Sequence, residues 1–238
     1  MPVNDIPVLT LDGPSGSGKG TVGQLCAQRL GWHYLDSGAI YRALAVSVAR
    51  RGISARDADR SLEVARALRI DFRPSPPDGV EVVLDGQVLD AELRTEETGE
   101  LASRLAAIPV IRGALLELQR RYRREPGLVA DGRDMGTVVF PNATLKIFLT
   151  ASAEVRARRR YKQLKLKGFD VTLAHLFQSI QERDIRDSER NASPLLPAAG
   201  AVALDTSDLS IEEVTTRVLD LLQTKLGAER GPTSVTTE

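Results

Sequence analysis

Gly13, Pro14, Ser15, Gly16, Ser17, Gly18, Lys19, Gly20 and Thr21 are the residues of this 238-residue chain whose types and spacing most directly suggest chemistry. Glycines at this density let backbone N–H groups converge on an anion. Lys19 adds a mobile point charge suited to the β- and γ-phosphates of a nucleoside triphosphate. The spacing follows the phosphate-loop pattern, with one departure. That pattern places Ser or Thr straight after the lysine; here Gly20 intervenes and Thr21 follows. An apolar, β-branched run from Val8 to Leu11, then Asp12, precedes the loop, and a helical pattern follows it. A helix starting there offers its unpaired first-turn N–H groups and positive dipole end to the same anion. A glycine-rich turn with a surface lysine is the plain alternative, but spacing, lysine and flanking elements agree on a phosphate site.

Three further clusters carry charge. Asp131, Arg133 and Asp134 follow the apolar run 128–130, at a strand's carboxyl end, where open α/β sheets bind ligands. Asp131 stands where a phosphate-loop enzyme places an acid near Mg²⁺, and Thr21 is the other candidate for the Mg²⁺ shell. A turn-stabilising pair is the plain alternative for Arg133 and Asp134. Arg156, Arg158, Arg159, Arg160, Lys162, Lys165 and Lys167 form a dense basic stretch. It suits a solvated helix face, a nucleic-acid surface or a mobile lid whose arginines close over a triphosphate and exclude water. The segment 183–190 alternates signs, and helical spacing sets Arg183 with Asp187, and Arg186 with Arg190, on common faces.

The elements that position these groups follow from periodicity. Strands are expected at 8–12, 32–35, 128–130, 145–149 and 202–205. Helices are expected at 18–30, with Val22, Leu25, Cys26, Arg29 and Leu30 on one face, and after Asp36-Ser37-Gly38 up to Gly52, with Ile40, Leu44, Ser47 and Val48 on one side. Further helices are expected at 96–106, 109–123, 152–167 and 172–186. Ser210 and Glu213 form a capping box for a last helix carrying Val214, Val218, Leu221 and Leu222. Roughly ninety residues separate Asp36 from the next core strand, where a parallel crossover needs only about a dozen. Within that interval residues 81–89 alternate around Asp85-Gly86, a hairpin signal, and 69–72 supply a third strand. Pro74, Pro76, Pro77 and Gly79 mark the loop between them. A small antiparallel subdomain at about 68–91 is expected, the alternative being a hairpin that extends the main sheet. Strands alternating with helices make the chain an α/β domain with a parallel sheet.

Composition bounds the rest. Formal net charge is zero, so no global field draws the chain to nucleic acid or anionic membrane. The single Cys26 excludes an internal disulfide and a cysteine zinc cluster, and suits a small core residue in a reducing compartment. His33 suits a packed strand residue rather than a ligand, with His175 in a distant helix. No signal peptide or spanning run is evident, so a cytoplasmic protein is expected. Residues 227–238 lack apolar periodicity, and a disordered tail is expected there.

Four blocks together resemble the bacterial cytidylate kinase family, over about residues 6–226. They are Gly13 to Thr21, whose Lys-Gly-Thr ending is the form of nucleoside monophosphate kinases; Leu35-Asp36-Ser37-Gly38-Ala39-Ile40-Tyr41-Arg42; Ala130-Asp131-Gly132-Arg133-Asp134 through Pro141; and Glu182-Arg183-Asp184 through Arg190. The resemblance implies a three-layer phosphate-loop fold with a five-stranded parallel sheet. It also implies a monophosphate-binding insert at 53–105 bearing a small antiparallel sheet, and a helical lid at 154–170. The implied reaction is phosphorylation of CMP and dCMP by ATP with Mg²⁺, by a monomer without nucleic acid or membrane. Ser37, Tyr41, Arg42 and Arg133 would approach the acceptor nucleotide. Asp134, Ser103 and Arg112 would meet cytosine, Arg183 and Asp187 the sugar, and Arg190 the acceptor phosphate. Lys19, Arg133, Arg158 and Arg159 would neutralise the moving phosphoryl group. A kinase for UMP, AMP or shikimate would share the loop and differ in the Asp134/Arg112 pocket. A switch or motor ATPase is the rival from another class. Against it, the chain carries no Asn-Lys-x-Asp guanine motif, no second ATPase signature and no net basic charge.

Overall fold

The computed structural model describes residues 6–75, 79–89, 91–166, 168–189 and 193–229. In chain order its first elements are β1 (Val8–Asp12), α1 (Lys19–Leu30), β2 (His33–Asp36), α2 (Ser37–Arg50), α3 (Ala58–Ala67), β3 (Ile70–Ser75), β4 (Gly79–Leu84) and β5 (Gln87–Leu89). There follow α4 (Ala91–Arg94), α5 (Glu96–Ala106), α6 (Pro109–Arg120), β6 (Leu128–Gly132), a π-helical turn (Met135–Val139) and β7 (Leu145–Thr150). The last are α7 (Ala153–Leu166), α8 (Leu173–Glu189), β8 (Val202–Asp205) and α9 (Ile211–Glu229).

The main sheet is parallel, in the order β2-β6-β1-β7-β8. Its strands read as near-continuous apolar runs because helices cover both faces. Period-two alternation divides them. Leu9 and Leu11 of β1 and Val129 of β6 face α1 and α9, where Val22, Cys26, Val214 and Val218 meet them. Val8, Leu128 and Ala130 face the side built by α2, α5 and α6. β1 is central, flanked by β6 and β7; the connection out of β1 runs to β2 on one side and that out of β7 to β8 on the other, which opens a crevice at their carboxyl ends. The phosphate loop begins there.

Several local expectations sharpen. In α1 the buried residues are Lys19, Val22, Gly23, Cys26 and Ala27; Arg29 is exposed and pairs with Glu212 at 2.6 Å. α2 is buried on nearly all sides, Ala43, Ala45 and Val46 included, because α3 and α5 pack on the face opposite the sheet. Asp36 caps α2 as the sequence suggests, its Oδ1 accepting the Ala39 N–H at 2.9 Å. α6 stops at Arg120, α8 continues to Glu189, and the Ser210–Glu213 capping box forms, with bonds of 2.9 and 3.2 Å. α9 runs on through 227–229, residues expected in the tail; the remainder, 230–238, lies outside the described residues.

The insert forms its own antiparallel sheet, β3-β4-β5, and does not extend the main one. Its β4–β5 turn takes positive φ at both Asp85 (50°) and Gly86 (85°), as a two-residue hairpin of this twist requires. Pro74, expected in the loop, lies within β3, and Gly79 opens β4; Pro76 and Pro77 lie outside the described residues. α3, α4 and the π-helical turn had no counterpart in the sequence pattern. α3 buries only Ser61, Val64 and Ala65, small groups with little apolar signal, although its cap, Asp57 accepting from Arg60 N–H at 3.1 Å, follows an ordinary rule.

Candidate active site

The phosphate loop is built on close backbone approach. Gly13 has φ 148°, and a Cβ on it would lie 2.0 Å from the Leu149 carbonyl oxygen of β7, so no side chain fits. Ser17 is fully buried, and the Thr206 hydroxyl donates to its carbonyl at 3.0 Å. Lys19 opens α1 and folds back to donate to the Pro14 carbonyl at 3.1 Å, bringing its ammonium over the loop. Gly20 explains the departure from the general motif. A Cβ there would lie 3.2 Å from Asp131 Oδ2, so glycine lets Asp131 come in directly behind the loop. Tyr34 donates to that same Oδ2 at 2.9 Å.

In front of the loop lies a cleft of about 440 Å³, lined by Gly18 to Thr21, Arg42, Arg159, Arg160, Lys162 and Arg183. The electrostatics call for a polyanion. Burial, with Arg133 alongside, pushes the Lys19 amine down. Burial, with Arg133 and Arg42 near, pushes Arg183 down to about 9, and burial with Arg160 near pushes Arg42 down to about 10. Buried cations that repel one another raise the free energy of the empty site, and phosphate groups relieve it. Asp131 is perturbed the other way: burial and then Asp36 push its carboxyl up. The carboxylates thus gather on the β2–β6 side and the cations face the cleft.

Beside this cleft is a pocket of about 40 Å³, lined by Ser37, Tyr41, Ser103, Arg112, Arg133, Asp134, Arg183 and Asp187. Eight expected acceptor residues, from α2, α5, α6, the β6 loop and α8, therefore meet at one place. Four of their five charges are paired with one another. Arg112 forms an ion pair with Asp134 and donates to the Ala106 carbonyl at 3.0 Å. Arg133 Nε donates to Asp187 Oδ2 at 2.8 Å. Arg186 Nε donates to the Ser103 hydroxyl at 3.3 Å. Among the described residues the buried Nε of Arg183 has no hydrogen-bond partner. Arg42 lines the larger cleft instead, donating to the Leu93 carbonyl at 2.6 Å. Arg190, and Lys167 of the basic stretch, lie outside the described residues.

The basic stretch divides by function. Arg158 is exposed and does not line the cleft, in contrast to the role expected of it. Arg159 lines the cleft and donates to the Thr206 hydroxyl at 3.0 Å. Arg160 reaches across to Glu96 at 2.8 Å, joining α7 to α5. Arg156 is buried: it donates to the Ser15 carbonyl at 3.1 Å and forms a two-pronged pair with Asp184 at 2.6 and 3.0 Å. That tie sets α7 and α8 against the phosphate loop. Sequence reasoning missed Asp12, Tyr34, Arg156, Asp184 and Thr206 as parts of the site. Arg156 and Asp184 were visible only as charges in dense runs, and nothing local separates them from their exposed neighbours. Cys26 is buried, and burial pushes its thiol up to about 12, so it is an inert core residue.

Similarity to known proteins agrees with this geometry. A model of the cytidylate kinase family matches residues 9–224. The chain is 57% identical over 218 residues to the cytidylate kinase of Methylococcus capsulatus, covering 92% of this chain and 97% of that one. It is 55% identical over 212 residues to the cytidylate kinase of a Marinomonas species, covering 89% and 93%. It is 51% identical over 220 residues to that of Colwellia psychrerythraea, covering 92% and 97%.

Proposed function

The chain belongs to the cytidylate kinase family, and from that premise we infer that it transfers the γ-phosphoryl group of ATP to CMP and dCMP, releasing ADP with CDP or dCDP. The observation that carries this is the acceptor pocket with the Asp134–Arg112 pair in its wall, opening beside the phosphate-loop cleft. Cytosine presents an N4 amine donor beside N3 and O2 acceptors. In this reading Asp134 accepts from N4, and Arg112 donates to the acceptor edge. Uracil, with an oxygen at position 4, would face the carboxylate without a proton to share, leaving buried polar groups unpaired.

The chemistry needs no general base. The attacking oxygen belongs to a phosphate whose second pKa is about 6, so it is largely ionised at neutral pH. Alignment and charge neutralisation supply the rate. Lys19 bears on the β- and γ-phosphates, Arg42 and Arg133 on the acceptor phosphate, and Arg159 on the transferring group. Arg183 and Asp187 hold the sugar.

Mg²⁺ fits the residues present. Asp131 is a buried carboxylate pushed up by burial and by Asp36, so a divalent cation relieves a real repulsion. Thr21 lines the cleft. A hard cation that takes one or two protein oxygens plus phosphates and waters suits this set. Bound there, Mg²⁺ would neutralise phosphate charge. Among the described residues no helix is long and apolar enough to cross a membrane. A cytoplasmic monomer acting on free nucleotides, without nucleic acid, completes the proposal.

The test is ADP release with CMP, dCMP, UMP, AMP and shikimate as separate acceptors, with and without Mg²⁺. CMP and dCMP should turn over fastest, and only with Mg²⁺. Rapid turnover without an acceptor, or a clear preference for AMP, would overturn the assignment.

A further inference from the structure

Asp134 stands at the N-cap of the π-helical turn Met135–Val139. A carboxylate at that position ordinarily accepts N–H groups of the turn it precedes. Asp134 makes no such bond and turns instead to Arg112. The N–H groups at the head of the turn still need partners, because they are buried. Asp12 supplies them from another strand. Its Oδ1 accepts the Met135 N–H and its Oδ2 the Gly136 N–H, each at 2.8 Å.

Asp12 is well placed for this. It is buried at the carboxyl end of β1, its backbone paired with Gly132 of β6 and Phe148 of β7. It also directly precedes the phosphate loop. Gly136 lets the two approach: a Cβ on it would lie 3.0 Å from Thr10 Oγ1 and 3.3 Å from Asp12 Oδ2. Both Asp12 oxygens are occupied by backbone N–H groups, which suits a brace rather than a proton acceptor.

We propose that Asp12 is a positioning residue for acceptor selection: by capping the π-helical turn from β1, it leaves the Asp134 carboxylate free to face the acceptor pocket. Remove the Asp12 carboxylate, and the Met135 and Gly136 N–H groups become buried orphans. Asp134, at the N-cap of the same turn, can then turn to them and self-cap. Self-capping withdraws Asp134 from Arg112 and from the base. The proposal rests on the assignment of Asp134 to cytosine made above. It adds that selectivity is held in place from the strand that carries the donor loop.

The test compares wild type, Asp12→Asn, Asp12→Ala and Asp134→Ala at pH 8, with CMP and UMP as acceptors. Asp12→Ala should raise KM for CMP roughly tenfold or more and lower the CMP/UMP ratio of kcat/KM toward that of Asp134→Ala, with KM for ATP held within about twofold. Asp12→Asn, which keeps one acceptor oxygen, should fall between. In the Asp134→Ala background Asp12→Asn should cost no further selectivity, since one route carries both effects. A wild-type enzyme without CMP preference would defeat the assignment of Asp134 itself. A wild-type enzyme that prefers CMP, with an Asp12→Asn variant of unchanged ratio, would overturn the role of Asp12 alone. So would equal rises in KM for ATP and CMP, or additive losses in the double variant. If the Asp12 variants do not fold, Gly136→Ala displaces the same turn while leaving the carboxylate intact. It should reproduce the lowered ratio, and an unchanged ratio there overturns the proposal.

Discussion

The donor cradle and the acceptor pocket are built on different principles. The cradle is one continuous stretch, Gly13 to Thr21, and its wall is backbone. The pocket draws single side chains from five separate segments, and its wall is charge. The cradle opens on about 440 Å³, and its buried cations Lys19, Arg42 and Arg183 are crowded by other cations. The pocket has closed to about 40 Å³ around its own ion pairs, Arg112–Asp134 and Arg133–Asp187. A nucleotide entering the first relieves repulsion already present. One entering the second must exchange contacts the protein already makes. On the proposed assignment, charge sets affinity at the cradle, and which internal pairs a base can replace sets selectivity at the pocket.

Variants on the two sides should separate this way. Lys19→Ala should have the largest effect, lowering kcat by about a thousandfold or more for every acceptor alike. Steady-state kinetics with CMP and UMP would show their ratio unchanged; a changed ratio would break the division of labour. Asp134→Ala should act in reverse, raising KM for CMP roughly a hundredfold while narrowing the CMP/UMP gap. Unchanged kinetics would remove Asp134 from the pocket. Within the lid, Arg159→Ala should cost about tenfold in kcat and Arg158→Ala less than about threefold, because only Arg159 lines the cleft. Equal losses would place Arg158 over the substrate during turnover.

The smallest effects concern what lies between the two sites. Gly20→Ser restores the general phosphate-loop pattern but sets a Cβ 3.2 Å from Asp131 Oδ2, so kcat should fall a few-fold rather than rise. Asp12 predicts a pH slope in stability. Burial is the largest influence on its carboxyl, raising it from 3.8 to about 6; Asp134 adds to the rise, and the two N–H groups and Arg133 oppose it. Between those values the folded chain keeps a proton that the unfolded chain releases. The contribution is thus present below about pH 4 and lost as pH rises through 6, at most about 3 kcal/mol. Urea unfolding at pH 4.5 and 6.5 should show wild type losing stability relative to Asp12→Asn as pH rises. A constant difference would mean that folding leaves the Asp12 carboxyl unshifted, its N–H bonds and Arg133 offsetting burial.

Much of the fold was legible because its signals are local. The apolar runs at Val8 to Leu11 and Leu145 to Leu149, the Asp85-Gly86 turn, the Asp36 cap and the Ser210–Glu213 box each depend on neighbours a few residues away. Each formed where expected. α3 escaped notice because its buried side is Ser61, Val64 and Ala65, too small to mark a helix face. The π-helical turn escaped because its cap comes from another strand.

By itself, the amino-acid sequence determined a phosphate-binding loop between a strand and a helix, a parallel α/β sheet, an inserted hairpin and the set of charged residues available for chemistry. A glycine loop is read directly because its anion-binding groups are main-chain N–H groups, placed by local φ and ψ. Tertiary structure decided which charges became chemistry. It buried Arg156 and left Arg158 in solvent, two residues apart on one helix. It set Asp131 behind Gly20, and it brought Asp12 under the turn that carries Asp134. Burial and electrostatic pairing depend on what lies across space, so residues alike in the chain diverge once the sheet, the lid and the insert have packed around them.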